Sequence, residues 1–382
     1  MRTLITNARC ISPDFDLTGA SVLVDGRNIA GVFRSEEEKP AADTVFDAAG
    51  KMLMPGFIDV HCHGNSGFDF SDADQDGMNE MCLAKLKEGV TSWLPTTLTL
   101  PEDELAAALK TAGVYSASGI KGAKVPGIHL EGPYINVKQI GAQNPDYVRL
   151  PDIEEVKRLN SIYKVLKVSY AVEVEGGAEF ARELRTMGIT PSCVHSEATY
   201  ARFEAAMSCG LRNISHFCNQ VSGLHHREIG IVGAGLLHDD VFIELICDKL
   251  HICPDMIKLV FKLKRSDRIM LITDSMRAAG MPDGEYDLGG MDVVVRGGCA
   301  RLKTNNALAG STLALCDALK NVYEITAMSL SELVKASSFN QAQSLGLDRL
   351  GRIEPGFIAD LVVLNDDFTP AAVFVDGEQR LG

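Results

Sequence analysis

Short apolar runs, each closed by a side chain able to bind a cation or move a proton, recur through the middle of this 382-residue chain. FIDVHCH, VPGIHLE, ITPSCVH, RNISH and RIMLITD end on His61 and His63, Glu131, His195, His216 and Asp274. Runs so short and so apolar predict buried strands. Candidate strands lie near 57–63, 91–98, 125–131, 168–174, 190–196, 212–217, 241–247 and 269–274. Between most of them fall helical stretches such as PEDELAAALKTA, AEFARELRTMG and TYARFEAAMSCG, several opening with Pro, Asp or Thr and closing at Gly. Eight strands alternating with helices predict an α/β fold, a (β/α)8 TIM barrel. In that fold the C-terminal strand ends share one rim, where residues far apart in sequence converge. A doubly wound open sheet is the alternative, but no glycine fingerprint follows the first strand.

The two ends of the chain read differently. SVLV-DGRN-IAGVF around Asp25-Gly26 predicts a hairpin, and TVFDAAG, GFIADLVVLND and AAVFVDGEQR are again β in character. Residues 1–54 together with 351–382 are therefore expected to form a small β-sandwich domain, leaving 55–350 for the barrel. Residues 283–310 look like a β-rich excursion after the eighth strand. Two helices near 311–326 and 330–338 close the barrel domain.

A formal net charge of −14 argues against nucleic acid or an anionic membrane as the main partner, since both select for basic surfaces. An anionic substrate would need a local basic pocket. The ten cysteines are scattered without a CxxC pair, which fits free thiols in a reducing compartment. MRTLITNARCISPDFD lacks the apolar core of a signal peptide and no run is long enough to span a bilayer. The expectation is a cytoplasmic protein.

His61 and His63, two apart on one strand, project from the same face and can chelate one ion. Glu131 sits at a strand-to-loop junction before Gly132-Pro133, where a carboxylate can bind or bridge metals. His195 and His216 each end a strand, and Asp274 closes an apolar run where an ionised carboxylate is costly unless paired or used. The His61/His63 pair alone reads equally well as structural, and Glu131, His195 and His216 each alone read more readily as ion-paired or structural, but their joint placement points to a divalent metal. Zinc suits His and carboxylate donors best, and iron and manganese accept them too. Asp72, Asp74 and Asp76 before Gly77 imitate a calcium loop, but its twelfth position is Leu83 where a bidentate Glu is required.

From MPGFIDVHCHG onward the chain resembles the N-acetylglucosamine-6-phosphate deacetylases of the amidohydrolase superfamily. EGVTSWLPTTLT, GIHLEGPYIN, HSEATY, GLHHREIGIVGAG, ICDKLHICPD, LITDSMRAAGMPDGEYDLGG, LAGSTL and GRIEPGFIADLVVL carry the likeness over nearly the whole length. LEGP, HHRE and the TDSMRAAG region are particular to that family. The resemblance implies a metal-bearing barrel with a small β-sandwich, a homodimer, and hydrolysis of N-acetylglucosamine 6-phosphate to glucosamine 6-phosphate and acetate. By motif, Glu131, His195 and His216 resemble the ligands of the principal metal, and Asp274 the catalytic acid/base. His61 and His63 would admit a second ion with Glu131 bridging, so one or two ions are implied. Arg227 and His251 match positions that hold the sugar phosphate, Arg227 reaching into the partner subunit's site.

Ala142, Asn219, Asp248 and the loop Ala307-Leu308-Ala309 resemble further substrate contacts. This chain departs from the family at Gln143, where a His is common; Gln donates a hydrogen bond but carries no proton. Gln220 likewise replaces a small residue usual after Asn219. WLPTT, IVGAGL and AAGMPDG are also similar to the N-acetylgalactosamine-6-phosphate deacetylases, which are the runner-up. A cyclic-amide hydrolase of the dihydroorotase kind uses a modified Lys at the end of strand four, and VSYAVEVE has none. A metal-free barrel kept as a scaffold is the reading from outside the enzymes.

Overall fold

The computed structural model describes residues 1–119 and 121–382. Eight parallel strands run in sequence order around a barrel: β1 (Phe57–Cys62), β2 (Val90–Thr97), β3 (Ile128–Glu131), β4 (Val165–Tyr170), β5 (Thr190–Cys193), β6 (Asn213–Ile214), β7 (Phe242–Ile246) and β8 (Ile269–Ile272). Nearly every residue in them is buried. That is why they appear as continuous apolar runs without alternation.

The ring is completed where β8 meets β1. The Asp274 N–H donates to the His61 carbonyl at 2.8 Å, and the His63 and Gly64 N–H groups donate to the Ser275 carbonyl at 2.9 and 3.0 Å. Beneath this seam Asp59 accepts from the Thr273 hydroxyl at 2.6 Å and from Lys85 Nζ at 3.0 Å, and Lys85 also reaches Glu88 at 3.1 Å.

Helices cover the outside: Gln75–Lys87, Glu102–Ala117, Ile153–Ile162, Gly177–Thr186, Tyr200–Ser208, Gly230–Leu237 and Pro254–Leu263. Several begin on the caps the sequence supplies, with Asp74, Asp152 and Thr199 side chains accepting first-turn N–H groups. Gly230–Leu237 lacks a polar stripe and is buried almost throughout, so amphipathic periodicity does not mark it.

Several boundaries differ from the sequence reading, at β4, β5, β6 and the last helix. β4 starts at Val165 and ends at Tyr170 rather than covering 168–174, because Lys167 breaks the apolar pattern yet lies inside the barrel, paired with Glu244. β5 and β6 end before the apolar runs do, since His195 and His216 take left-handed backbone with φ of 44° and 27° and turn the chain off the sheet. The last helical stretch continues to Leu345 through a wide turn at Lys335–Phe339.

Both chain ends contribute to one separate eight-stranded sheet, built from Arg2–Ser12, Phe15–Asp25, Asn28–Phe33, Thr44–Asp47, Met52–Pro55, Leu361–Leu364, Pro370–Val375 and Glu378–Leu381. It folds over its own core, which includes Ile5, Val22, Leu53, Leu361, Val363 and Phe374. Phe46 packs edge-on against Phe374 across it at 5.4 Å. The β excursion is a three-stranded meander, Gly284–Leu288, Met291–Arg296 and Cys299–Leu302. Among the described residues no helix is long and apolar enough to cross a membrane.

Candidate metal centre

The six strand-end side chains meet at one rim. Glu131 stands at their centre: its Oε1 lies 3.2 Å from His61 Nε2, 3.2 Å from His216 Nε2 and 3.6 Å from His195 Nε2, and its Oε2 lies 3.2 Å from His63 Nε2. Asp274 Oδ1 closes the other side, 3.3 Å from His63 Nε2 and 3.6 Å from His61 Nε2. Two sets emerge, His61–His63–Asp274 and Glu131–His195–His216, and within each set the donor atoms lie within 4.8 Å of one another. His195, His216 and Asp274 sit at φ of 44°, 27° and 48°. Left-handed backbone is uncommon and costly outside glycine, and it collects at functional sites. Here it swings three strand-end side chains inward.

The hydrogen bonds fix which ring nitrogen faces the centre. Nδ1 of His63 meets the Thr96 carbonyl at 3.2 Å, Nδ1 of His195 the Gln139 carbonyl at 2.6 Å, Nδ1 of His216 the Asn219 carbonyl at 3.0 Å, and Nδ1 of His61 Glu244 Oε2 at 3.1 Å. These oxygens only accept, so every Nδ1 carries hydrogen and donates. In the neutral rings Nε2 is then a lone pair aimed at the centre. His195 Nε2 and His216 Nε2 face each other at 3.4 Å. His61 Nε2 and Glu131 Oε1 are buried without a hydrogen-bond partner.

Lone pairs and carboxylates converging in a buried space can hold a cation, and four imidazoles with two carboxylates are a donor set that zinc, iron and manganese accept. The electrostatics of these side chains point the same way. Burial pushes His61 down, but the charges of Glu131 and Asp274 outweigh it and bring His61 up to about 9. Burial pushes Asp274 up, but His61 and His63 bring it down to about 2. Glu131 lies well below the usual carboxylate range for the same reason. The residues present therefore fit a divalent metal.

A cavity of about 270 Å³ opens above the centre, lined by His63, Glu131, His195, His216 and Asp274. His61 lies beneath them, fully buried. Ala142, Gln143, Asn219, Gln220 and His251 form the cavity's sides with Ala307 and Leu308. Ala309 is buried behind that loop. Asp248 does not line the cavity: its Oδ2 accepts from His251 Nδ1 at 2.7 Å and its Oδ1 from the N–H groups of Leu250 and His251 at 2.8 Å. Arg227 is exposed, outside the cavity of its own chain, and donates to His226 at 2.7 Å. Gly141 holds φ of 56° where an added Cβ would lie 3.1 Å from His195 Cε1, so glycine suits the close approach of this loop to the imidazole.

Gln143 is tied at both ends. Its Nε2 donates to Glu131 Oε2 at 2.7 Å, and its Oε1 accepts from the Thr99 N–H at 2.7 Å. Sequence reasoning missed Glu244 and Lys167, which pair directly below His61. The one available signal was a charge inside each of two apolar strands.

The Amidohydrolase family matches residues 52–380 of the chain. N-acetylglucosamine-6-phosphate deacetylase of Lysinibacillus sphaericus is 39% identical over 84% of this chain and 83% of its own length. N-acetylgalactosamine-6-phosphate deacetylase of Escherichia coli O157:H7 is 37% identical over 91% and 92%. A solved structure of N-acetyl-D-glucosamine-6-phosphate deacetylase from Mycobacterium smegmatis, in complex with N-acetyl-D-glucosamine-6-phosphate, superposes with a TM-score of 0.93 at 28% identity, covering 100% of both chains.

Proposed function

The chain belongs to the amidohydrolase family, and from that premise we propose that it hydrolyses the acetamide of N-acetylglucosamine 6-phosphate, releasing glucosamine 6-phosphate and acetate. The observation that carries this reading is the set Glu131, His195 and His216 lying beside the set His61, His63 and Asp274 at the floor of one cavity.

Glu131, His195 and His216 would hold a principal ion, and His61, His63 and Asp274 would hold a second; zinc is the first candidate. A bound divalent ion polarises a carbonyl and acidifies water. Asp274, ionised at neutral pH, accepts the proton of the attacking water and returns it to the departing amine nitrogen, so one carboxylate serves as base and then as acid. Gln143, fixed by Thr99, keeps Glu131 from rotating and presents an amide rather than an ionisable ring to the substrate's acetyl group.

The sugar is held from the cavity's sides. His251 binds the phosphate through Nε2 while Asp248 holds its Nδ1, so Asp248 acts through His251. Arg227 reaches the phosphate of a partner subunit in a homodimer, which explains why it has no role in its own cavity and supplies positive charge to an acidic protein. Asn219, Gln220, Ala142 and the 307–309 loop shape the space around the ring. Phosphate binding at a distance from the amide orients the carbonyl for attack.

The test is acetate release from N-acetylglucosamine 6-phosphate and N-acetylgalactosamine 6-phosphate in parallel, with elemental analysis of the purified protein. Turnover of the gluco sugar with bound metal supports the reading. Preference for the galacto sugar replaces the substrate but keeps the chemistry, and inactivity of the metal-loaded protein on both refutes it.

A further inference from the structure

We propose that Glu244, with its charge balanced by Lys167, is a positioning residue that makes His61 a metal ligand and so determines whether the strand-one ion is retained. The inference rests on the reading of His61 and His63 as ligands and goes beyond it.

Glu244 on β7 and Lys167 on β4 are both fully buried inside the barrel. A buried ion pair is often no more stabilising than apolar side chains of the same volume, so its presence beneath a metal centre calls for a further role. Glu244 divides its two oxygens. Oε1 accepts from Lys167 Nζ, and Oε2 lies 3.1 Å from His61 Nδ1. The other three imidazoles of the centre give their Nδ1 hydrogen to neutral backbone carbonyls. His61 alone gives it to a carboxylate. That partner fixes the ring's orientation and tautomer, raises the basicity of Nε2, and aims it between Glu131 and Asp274. The main-chain carbonyls of Thr96, Gln139 and Asn219 hold the other three rings, whereas His61 depends on a side chain two strands away.

The variant Glu244→Gln keeps the shape but presents an NH2 group to either Lys167 or His61, both of which are donors. Wild type, E244Q, K167M and E244Q/K167M are each stripped, reconstituted with Zn2+, passed through gel filtration, and measured for zinc per chain and for metal-free melting temperature. Wild type is expected to hold two ions. E244Q keeps the first and binds the second roughly 10- to 100-fold more weakly. In the double variant the amide nitrogen faces a thioether and its oxygen can accept from His61, so the second ion returns. A merely structural role would lower the melting temperature and both affinities together, with no such rescue.

Two ions in E244Q at wild-type affinity overturn the proposal and leave the deacetylase reading standing. One ion in wild type removes His61 as a ligand and overturns it as well. No zinc in wild type sinks both readings. Should E244Q fail to fold, the charge-free pair E244L/K167M, which leaves His61 Nδ1 without an acceptor, takes its place: loss of the second ion supports the proposal, and two ions at wild-type affinity overturn it.

Discussion

Replacing Asp274 by Asn tests proton transfer while the donor set of the principal ion stays intact. The backbone bonds that hold this residue, its N–H to the His61 carbonyl and its carbonyl to the Ser311 N–H at 2.7 Å, are untouched by the change. Asn has the same shape, so the seam and the cavity wall stay in place. The principal donor set, Glu131 with His195 and His216, does not include Asp274, and its ion is expected to remain. What is lost is the only carboxylate besides Glu131 that lines the cavity among the described residues. Glu131 is surrounded by imidazoles and amide hydrogen and cannot substitute. General acid–base catalysis contributes about 10²- to 10⁴-fold, so kcat should fall by that factor, equivalent to roughly 3 to 5 kcal/mol on the barrier. Acetate release at saturating substrate gives kcat, and elemental analysis of the same sample gives the metal content. A variant within tenfold of the wild-type kcat, with its principal ion bound, would refute the assignment.

Arg227→Ala should raise KM roughly 10- to 100-fold, the worth of a charged hydrogen bond, and leave kcat and melting temperature unchanged; an unaltered KM removes the phosphate contact. Lys85→Met leaves Asp59 and Glu88 buried without their common partner and should cost about 3 to 5 kcal/mol in urea unfolding, so a loss below about 1 kcal/mol contradicts the account of the cluster. Burial drives Asp69 up to about 6, so between about pH 4 and 6 the folded chain keeps a proton that the unfolded chain has released. Stability should therefore fall as pH rises through that window, with the whole penalty, roughly 3 kcal/mol, present above it. Asp69→Asn keeps the cap on the Ser71 N–H and should flatten this slope in melts across pH; an unchanged slope excludes Asp69 as its source.

The barrel and its rim were legible because one physical rule serves both. A strand buried on two faces is an apolar run, and the polar residue that closes it marks the rim, so His61, Glu131, His195, His216 and Asp274 were readable from where apolar stretches stop. The same rule hid Lys167 and Glu244. The charge of Lys167 looks like a break in a strand, and the separation of 77 positions from Glu244 leaves no local sign that the two neutralise each other. β4 was accordingly drawn too late in the chain. The double tether of Gln143 was equally invisible, since it needs Thr99 and Glu131 brought together by different loops. The sharp turns at His195 and His216 also escaped reading, because neither residue is a type that announces left-handed backbone.

The join between β8 and β1 ties architecture to chemistry. The clasp of the hoop is made from the main chain of His61 and Asp274, whose side chains face the metal centre. An ion gripped by those side chains therefore also braces the last closure of the cylinder. Chelation should loosen this sector ahead of the others, and amide hydrogen exchange at Asp274 and Gly64 would quicken before that of the opposite strands.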